Sequence, residues 1–491
     1  MGITTRRLAP ALILGALSSV AFIAPASASA EVNHHCVEGA NIHGEGSSLQ
    51  AEADEKFWDS EKATDGFNQS KAPTACNGEQ FKNGEEPGGK PKVTYTKEAS
   101  SVGMQKWGFG GHERSDSTTQ FVGTDEPPTA AQIAEMEAGK PESKLLTIPV
   151  LDEAVSVIVH LPKECTVTSD AKGNAGRFVL TQKQLEEVFA GEITKWTQIT
   201  GVPGSKSAAN TWTGATCENT IKRTVRGDGS GTTSIFKKYL NLVKEFPEGF
   251  GGKSWRKSGE EIENTEWPNE GSDPVERGKC GEKEACTSSG GKLAEWVQKH
   301  EGLIGYAGIA DARSKHDAGT ESERSANSQE GKQIFWVEVQ NSGSEEKPKF
   351  QEPALVKGEE GAWDNGTKTV ANCASTEFTN GASSAKFPPA STELPWNEAT
   401  TKTSEKTYGI CGLSYDLAYE QYDLFEGFTE SQTDTVANYI KFVLGTGAEE
   451  GQALINVHSD YLPLPTNKSA KKSVLAIAQA GAEKIGWKPG E

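Results

Sequence analysis

Apolar positions along the chain change period several times, and each change marks an element. Lys92–Tyr95 (KVTY) predicts a short strand, followed by a Ser/Gly segment at Ala99–Gly103. Thr129-Ala-Ala-Gln132 is a capping-box pattern that opens a short helix. Leu145–Leu151 (LLTIPVL) and Val155–Leu161 (VSVIVHL) are two β-rich runs. Thr181-Gln-Lys-Gln184 caps another helix, with Leu185, Val188 and Phe189 on one side and Gly191 at its end. Ile235, Phe236, Tyr239, Leu240, Leu242, Val243 and Phe246 recur at helical spacing. Leu303–Ala307 (LIGYA) and Ile334–Val339 (IFWVEV) read as strands. Helices around Thr435–Leu444 and Ser473–Ile485 flank the turn Tyr461-Leu-Pro-Leu-Pro465. Near the start, Asn41–Gln50 (NIHGEGSSLQ) reads as a glycine turn leading into a helix. Strands alternating with helices predict an α/β protein, and no period marks a solenoid.

The first thirty residues stand apart from this pattern. Arg6 and Arg7 precede the mostly apolar run Leu8–Ile23, and Ala28-Ser29-Ala30 offers a small-residue cleavage site. Residues 1–30 therefore read as a secretory signal cleaved near Ala30, by general or twin-arginine export, and the protein as secreted or extracytoplasmic. Eight cysteines, Cys36, Cys76, Cys165, Cys217, Cys280, Cys286, Cys373 and Cys411, all follow it without a C-x-x-C. In an oxidising compartment these are disulfide candidates, expected to pair sequentially. His34-His35-Cys36 is weighed as a metal site and set aside, so no metal or other cofactor is expected. The segments 51–92, 247–292 and 341–407 are polar or rich in Gly, Ser, Glu and Lys, and read as insertions. The acid pairs Glu186-Glu187 and Glu260-Glu261 read as solvated faces. The length of 491 residues implies two or three domains. Lys and Arg number 50 against 69 Asp and Glu, a formal charge of −19, which argues against a nucleic-acid partner.

The chemistry centres on Arg226-Gly-Asp-Gly-Ser-Gly-Thr-Thr233, just before the most periodic helix. A helix start presents N–H groups without internal partners and the positive end of the dipole. Glycines let an anion approach the backbone, Ser230 and Thr232 add hydroxyls, and Arg226 adds a planar fork suited to oxyanions. Asp228 can hold that guanidinium in place. The same string also reads as an ordinary N-cap turn. It lacks the Lys of a P-loop and the leading Gly of a nucleophile elbow, and Ser234-Ile-Phe-Lys237 has no companion K-T-G or S-D-N.

In this setting the chain resembles the PstS-type phosphate-binding proteins, extracytoplasmic receptors of phosphate ABC importers. Eight elements follow the family's order. They are Gly44–Leu49, Tyr95–Gly103, Phe121–Pro128, Ile148–Pro162, Leu185–Trp196, the Arg226 motif, Ile304–Tyr306 and the Tyr461–Pro465 ending. The resemblance implies a two-lobed α/β fold of the periplasmic-binding-protein type II class, with hinge crossovers near Val150–Ala154 and Gly302–Tyr306. Lobe one would be 31–151 plus 305–491, carrying the 341–407 insertion; lobe two would be 152–304, carrying the 247–292 insertion. It implies phosphate contacts at Ser48, Leu49, Ser100, Asp125, Arg226, Ser230, Gly231 and Thr232, with Asp228 in support. Leu49 stands where the family usually has Phe and would contribute only its N–H.

Asp125 is the informative member of that set. A carboxylate repels a fully ionised oxyanion but accepts from a protonated phosphate oxygen, so it would reject sulfate; by itself it also reads as a turn residue before Pro127-Pro128. The departures are Glu45 in the first loop, expected to face solvent, Lys97 and Val102 in place of glycines, long insertions and no lipid anchor. The implied function is capture of inorganic phosphate by a monomer for a membrane permease, without enzymatic activity. The rivals are a secreted adhesion protein reusing the fold and a phosphatase-like relative, which would need a metal cluster or an activated nucleophile.

Overall fold

The computed structural model describes residues 40–58, 66–68, 91–114, 118–138, 143–169, 178–200, 210–243, 255, 265–267, 275–276, 287–316, 334–344, 347–356, 369–371, 373, 377–379, 387–402, 407–458, 460–466 and 473–488. The signal segment, His34-His35-Cys36 and Glu260-Glu261 lie outside them.

In chain order the first half contains β1 (Ile42–Gly46), β2 (Val93–Lys97), α1 (Ser100–Lys106), β3 (Phe121–Thr124), α2 (Ala130–Ala138), β4 (Leu145–His160), β5 (Thr166–Ser169), β6 (Val179–Leu180), α3 (Gln182–Ala190), β7 (Asn210–Thr213), β8 (Lys222–Thr224) and α4 (Gly231–Val243). The second half contains β9 (Val275–Glu276), α5 (Gly290–Lys299), β10 (Leu303–Gly308), α6 (Ile309–His316), β11 (Phe335–Trp336), β12 (Glu338–Ser344), β13 (Lys347–Gln351), β14 (Ala354–Val356), β15 (Thr369–Ala371), β16 (Glu377–Thr379), β17 (Thr400–Lys402), β18 (Cys411–Tyr419), α7 (Glu430–Val443), α8 (Gly451–His458), β19 (Tyr461–Leu462) and α9 (Val474–Ala482).

β4 organises the molecule. The two β-rich runs of the sequence are one strand of sixteen residues, every one of them buried. Asp152 and Glu153, which break the apolar pattern and read as a gap between strands, sit inside it. A ten-stranded sheet is built around it in the order β2-β1-β3-β18-β4-β10-β8-β9, with β11 and β19 also pairing β4. β1 runs parallel to β2 and β3, while β18 runs antiparallel to both β3 and β4. On the far side β10 is antiparallel to β4 and parallel to β8.

Two apolar clusters flank this spine. Leu145–Leu151 of β4 packs with residues of β1, β2, β3, β18, α7 and α9, including Trp107 stacked on Tyr419 at 4.7 Å. Ala154–Leu161 packs with residues of α3, α4, α5 and β10, including Phe236 stacked on Tyr306 at 4.5 Å. Trp336, Val339, Cys373, Tyr408 and Ile410 belong to this second cluster, so the chain returns to it after β10.

Local signals work as physics requires. Thr181 and Gln184 close a reciprocal capping box, and Gly191 ends α3 with φ 82°, a left-handed value that favours glycine. Thr129 and Gln132 bond reciprocally at the start of α2, and Ser473 caps α9. Cys165–Cys217 links β5 to the turn after β7, and Cys373–Cys411 ties the 341–407 segment to the start of β18. Both follow the sequential pairing; Cys36, Cys76, Cys280 and Cys286 lie outside the described residues. Two expectations of solvation are corrected. Glu186 is fully buried and accepts a hydrogen bond from the Trp255 indole, because α3 turns that side chain inward. Glu45 is 3% exposed because β1 is an interior strand, and Lys106 neutralises it at 2.8 Å. No described helix is long and apolar enough to cross a membrane.

Candidate functional site

Asp125 lies where β3 ends. Thr124 fixes the turn by donating its hydroxyl to the Glu126 carbonyl at 2.8 Å and accepting from the Glu126 N–H. The Asp125 N–H donates to Ser100 Oγ at 3.3 Å, joining the turn to the first residue of α1. Asp125 Oδ1 accepts from two hydroxyls, Ser47 Oγ and Ser414 Oγ, the latter at 2.7 Å. Burial pushes the Asp125 carboxyl up to about 6, against the opposing pull of the Ser47 and Ser414 hydrogen bonds and the Arg226 charge.

Helix α4 starts directly against Asp125. A Cβ on Gly231 would lie 2.5 Å from the Asp125 Cβ and 2.9 Å from its backbone, so only glycine permits the approach. Ser230 caps the helix, its Oγ accepting from the Thr233 N–H at 3.3 Å. Its own N–H goes to the Thr265 carbonyl at 3.0 Å, which leaves the Gly231 and Thr232 amides at the open end of the helix.

Arg226 is 1% exposed. Its Nε donates to Asp228 Oδ1 at 2.7 Å and its Nη2 to Asp228 Oδ2, while Nη1 lies 3.5 Å from Thr232 Oγ1. Burial alone would lower its pKa; Asp228 outweighs burial and holds it above the ordinary arginine value. One face of the guanidinium is thus fixed by Asp228 and the other points to the helix start. Tyr306 braces the turn from β10, accepting from the Arg226 N–H and bonding Thr233 Oγ1 at 2.7 Å.

The predicted residues therefore fall into three groups. Ser100, Asp125 and Gly231 form one contiguous unit, and Arg226, Asp228, Ser230 and Thr232 form a second beside it. Ser48 and Leu49 form the third and engage different partners. Ser48 Oγ accepts from Gly290 N–H at the head of α5 at 3.5 Å. The Leu49 N–H donates to Ser47 Oγ at 3.1 Å, and its side chain fills the space a Cβ on Gly308 would need.

Several residues escaped sequence reasoning. Ser47, not Ser48, is the hydroxyl on Asp125; two adjacent serines in an irregular turn give no pattern that decides which faces inward. Ser414 lies on β18, whose alternation of Cys411, Leu413, Tyr415, Leu417 and Tyr419 was an available signal for a strand. Glu126 bonds Ser234 and, at 3.1 Å, Lys238 on α4. Ser101 bonds the Gly229 carbonyl through both Oγ, at 2.9 Å, and N–H, at 3.2 Å. These two sets of contacts tie α1 and the β3 turn to the Arg226 loop and its helix.

Residues 38–359 match the family model described as PBP superfamily domain. The curated phosphate-binding protein PstS of Haemophilus influenzae is 21% identical over 387 residues, 76% of this chain and 84% of that protein. A phosphate-binding protein from Stenotrophomonas maltophilia superposes with a TM-score of 0.52 at 16% identity, covering 90% of this chain and 94% of its own. A high affinity periplasmic phosphate-binding protein (PfluDING), bound with phosphate, gives 0.50 at 15% identity over 92% and 100%. At such identities the structural likeness establishes the fold, the two-lobed α/β architecture expected from the sequence.

Proposed function

The chain belongs to the PBP superfamily, and from that premise we propose that it is an extracytoplasmic receptor that captures inorganic phosphate for ABC-type import. The observation that carries this reading is the meeting of opposite tendencies at one point: the start of α4 packs against Asp125, Arg226 reaches Thr232 at that helix start, and its charge acts on the buried Asp125 carboxylate. Helix amides and a guanidinium attract an oxyanion; a carboxylate beside them accepts only from an oxyanion that still carries a proton. Phosphate at neutral pH carries one, and sulfate does not. A sulfate would leave the acceptor unpaired and facing like charge, and the unpaired group alone costs about 1–3 kcal/mol.

The two clusters serve as the two lobes and meet along β4, between Leu151 and Ala154. Ligand held between the β3 turn and α4 would bridge them and favour the closed state. With ligand bound, the Ser48 hydroxyl and the Leu49 amide would exchange their Gly290 and Ser47 partners for the phosphate and complete the seat. The receptor acts as a monomer, after export directed by residues 1–30, and delivers phosphate to a membrane permease. Binding involves no covalent step. Calorimetry on the purified chain tests the reading: phosphate binds with sub-micromolar affinity and sulfate does not compete. Absence of heat with every oxyanion overturns it.

A further inference from the structure

We propose that Glu153 is a specificity-determining positioning residue: acting through Ser414, it holds the proton that keeps Asp125 an acceptor. The identity of the ligand in this inference rests on the phosphate reading above.

Glu153 lies in the middle of β4, 1% exposed, in register with Gly412 of β18 and Tyr461 of β19. Ser414 Oγ is 2.6 Å from Glu153 Oε1 and 2.7 Å from Asp125 Oδ1. A hydroxyl carries one proton and donates once. Were both carboxylates ionised, one of them would face a Ser414 lone pair at hydrogen-bond distance. One carboxyl must therefore carry a proton and donate it to Ser414, which donates to the other.

The surroundings decide which. Asp125 faces the Arg226 charge and receives Ser47. Glu153 faces acidic groups: the Asp125 charge, its neighbour Asp152, whose own carboxyl burial pushes well above the usual range, and Asp311 on α6, whose charge is met by Lys97 at 2.9 Å. Tyr461, paired with Glu153 across β19, is neutral because burial pushes its hydroxyl well above the usual value. Glu153 Oε2 has no hydrogen-bond partner among the described residues. Burial, and next the Asp125 charge, push the Glu153 carboxyl well above the usual range. The proton sits on Glu153, and the chain of donation runs Glu153 to Ser414 to Asp125.

Two consequences follow for the seat. Asp125 Oδ1 is occupied by Ser47 and Ser414, so Oδ2 is the oxygen that meets a protonated ligand oxygen. If Glu153 loses its proton, a second buried negative charge appears behind Asp125 and opposes any anion in the seat.

The test is calorimetry with inorganic phosphate from pH 8 to 10, where the ligand keeps one proton, on wild type, Glu153→Gln and Ser414→Ala. The Gln amide donates as a protonated Glu does. Wild-type affinity should fall by up to about tenfold per pH unit once Glu153 titrates, whereas Glu153→Gln stays flat. Infrared spectra of the ligand-free protein at pH 8 should show a protonated-carboxyl carbonyl band lost in Glu153→Gln. Ser414→Ala should shift that band by removing its hydrogen bond, which assigns it even if the Gln variant does not fold. No such band at pH 8, or a band unchanged in both variants, overturns the inference. A wild type that binds no phosphate overturns the functional reading instead, and the infrared band still locates the proton.

Discussion

In the proposed seat, Asp125 would do two things that conflict in water: remain ionised beside other carboxyl groups and sit buried under an anion. Its hydroxyl partners and Arg226 keep it ionised above about 6. As pH falls below that value it gains a proton and becomes a donor, so sulfate should begin to compete in acid. Asp125→Asn places a donor there permanently. It should reduce the preference for phosphate over sulfate by about a hundredfold, read by competition calorimetry at neutral pH; an unchanged preference would remove Asp125 from the recognition set. A second buried carboxyl behind the site, Asp416, sets acid–base behaviour of the fold itself. Gln50 donates to its Oδ1 at 2.8 Å, and Oδ2 has no hydrogen-bond partner among the described residues. Burial pushes Asp416 up to about 7 from 3.8. Between those values the folded chain holds a proton that the unfolded chain releases, so the contribution to stability is full below about pH 4 and is lost as pH rises through 7. Asp416→Asn should therefore raise Tm at pH 8, by an amount on the order of a few kcal/mol in stability, and give no gain at pH 4. Equal shifts at both pH values would refute the burial argument.

Among the elements, helix α4 depends most on a single missing atom. Gly231→Ala places a Cβ 2.5 Å from Asp125, and backbone on both sides prevents easy relief. The expected cost is about 1–3 kcal/mol in stability, as for other overpacked sites. Phosphate affinity should drop at least tenfold, because the helix start must withdraw from the seat; denaturant melts and calorimetry measure the two separately. This helix was legible in the sequence, because Ile235, Phe236, Tyr239 and Leu240 repeat with its period, as were β10, α3 and the Arg226 motif. What could not be read were elements whose polar residues are buried. β1 carries two glycines and Glu45 and looks like a loop, yet it is an interior strand. β4 looked like two strands because Asp152 and Glu153 interrupt it, and burying them makes sense only once Ser414 and β19 are brought alongside. Ser47 and Ser414 are separated by most of the chain, and no local pattern predicts that both meet Asp125.

For the whole molecule, the formal charge of −19 poses the sharpest question, since the proposed ligand is itself an anion. Local donors act within the seat, at contact distances and away from bulk water, while the net charge acts on the ligand before it arrives. At about 0.01 M salt the screening length is near 30 Å and the approaching phosphate feels the whole protein; at about 0.15 M it is near 8 Å and only the nearest groups matter. The association rate should therefore rise several-fold across that range, opposite to the behaviour of receptors steered by a positive field. Dissociation starts from ligand already inside the seat and should change little, so affinity improves with salt through the on-rate alone. Stopped-flow tryptophan fluorescence on the wild-type chain separates the two rates. An association rate that falls with salt would mean that Arg226, the α4 dipole and the lysines nearby focus a positive field out of the cleft strongly enough to overcome the surrounding acid surface. In that event, local arrangement rather than total charge would govern capture from the first encounter onward.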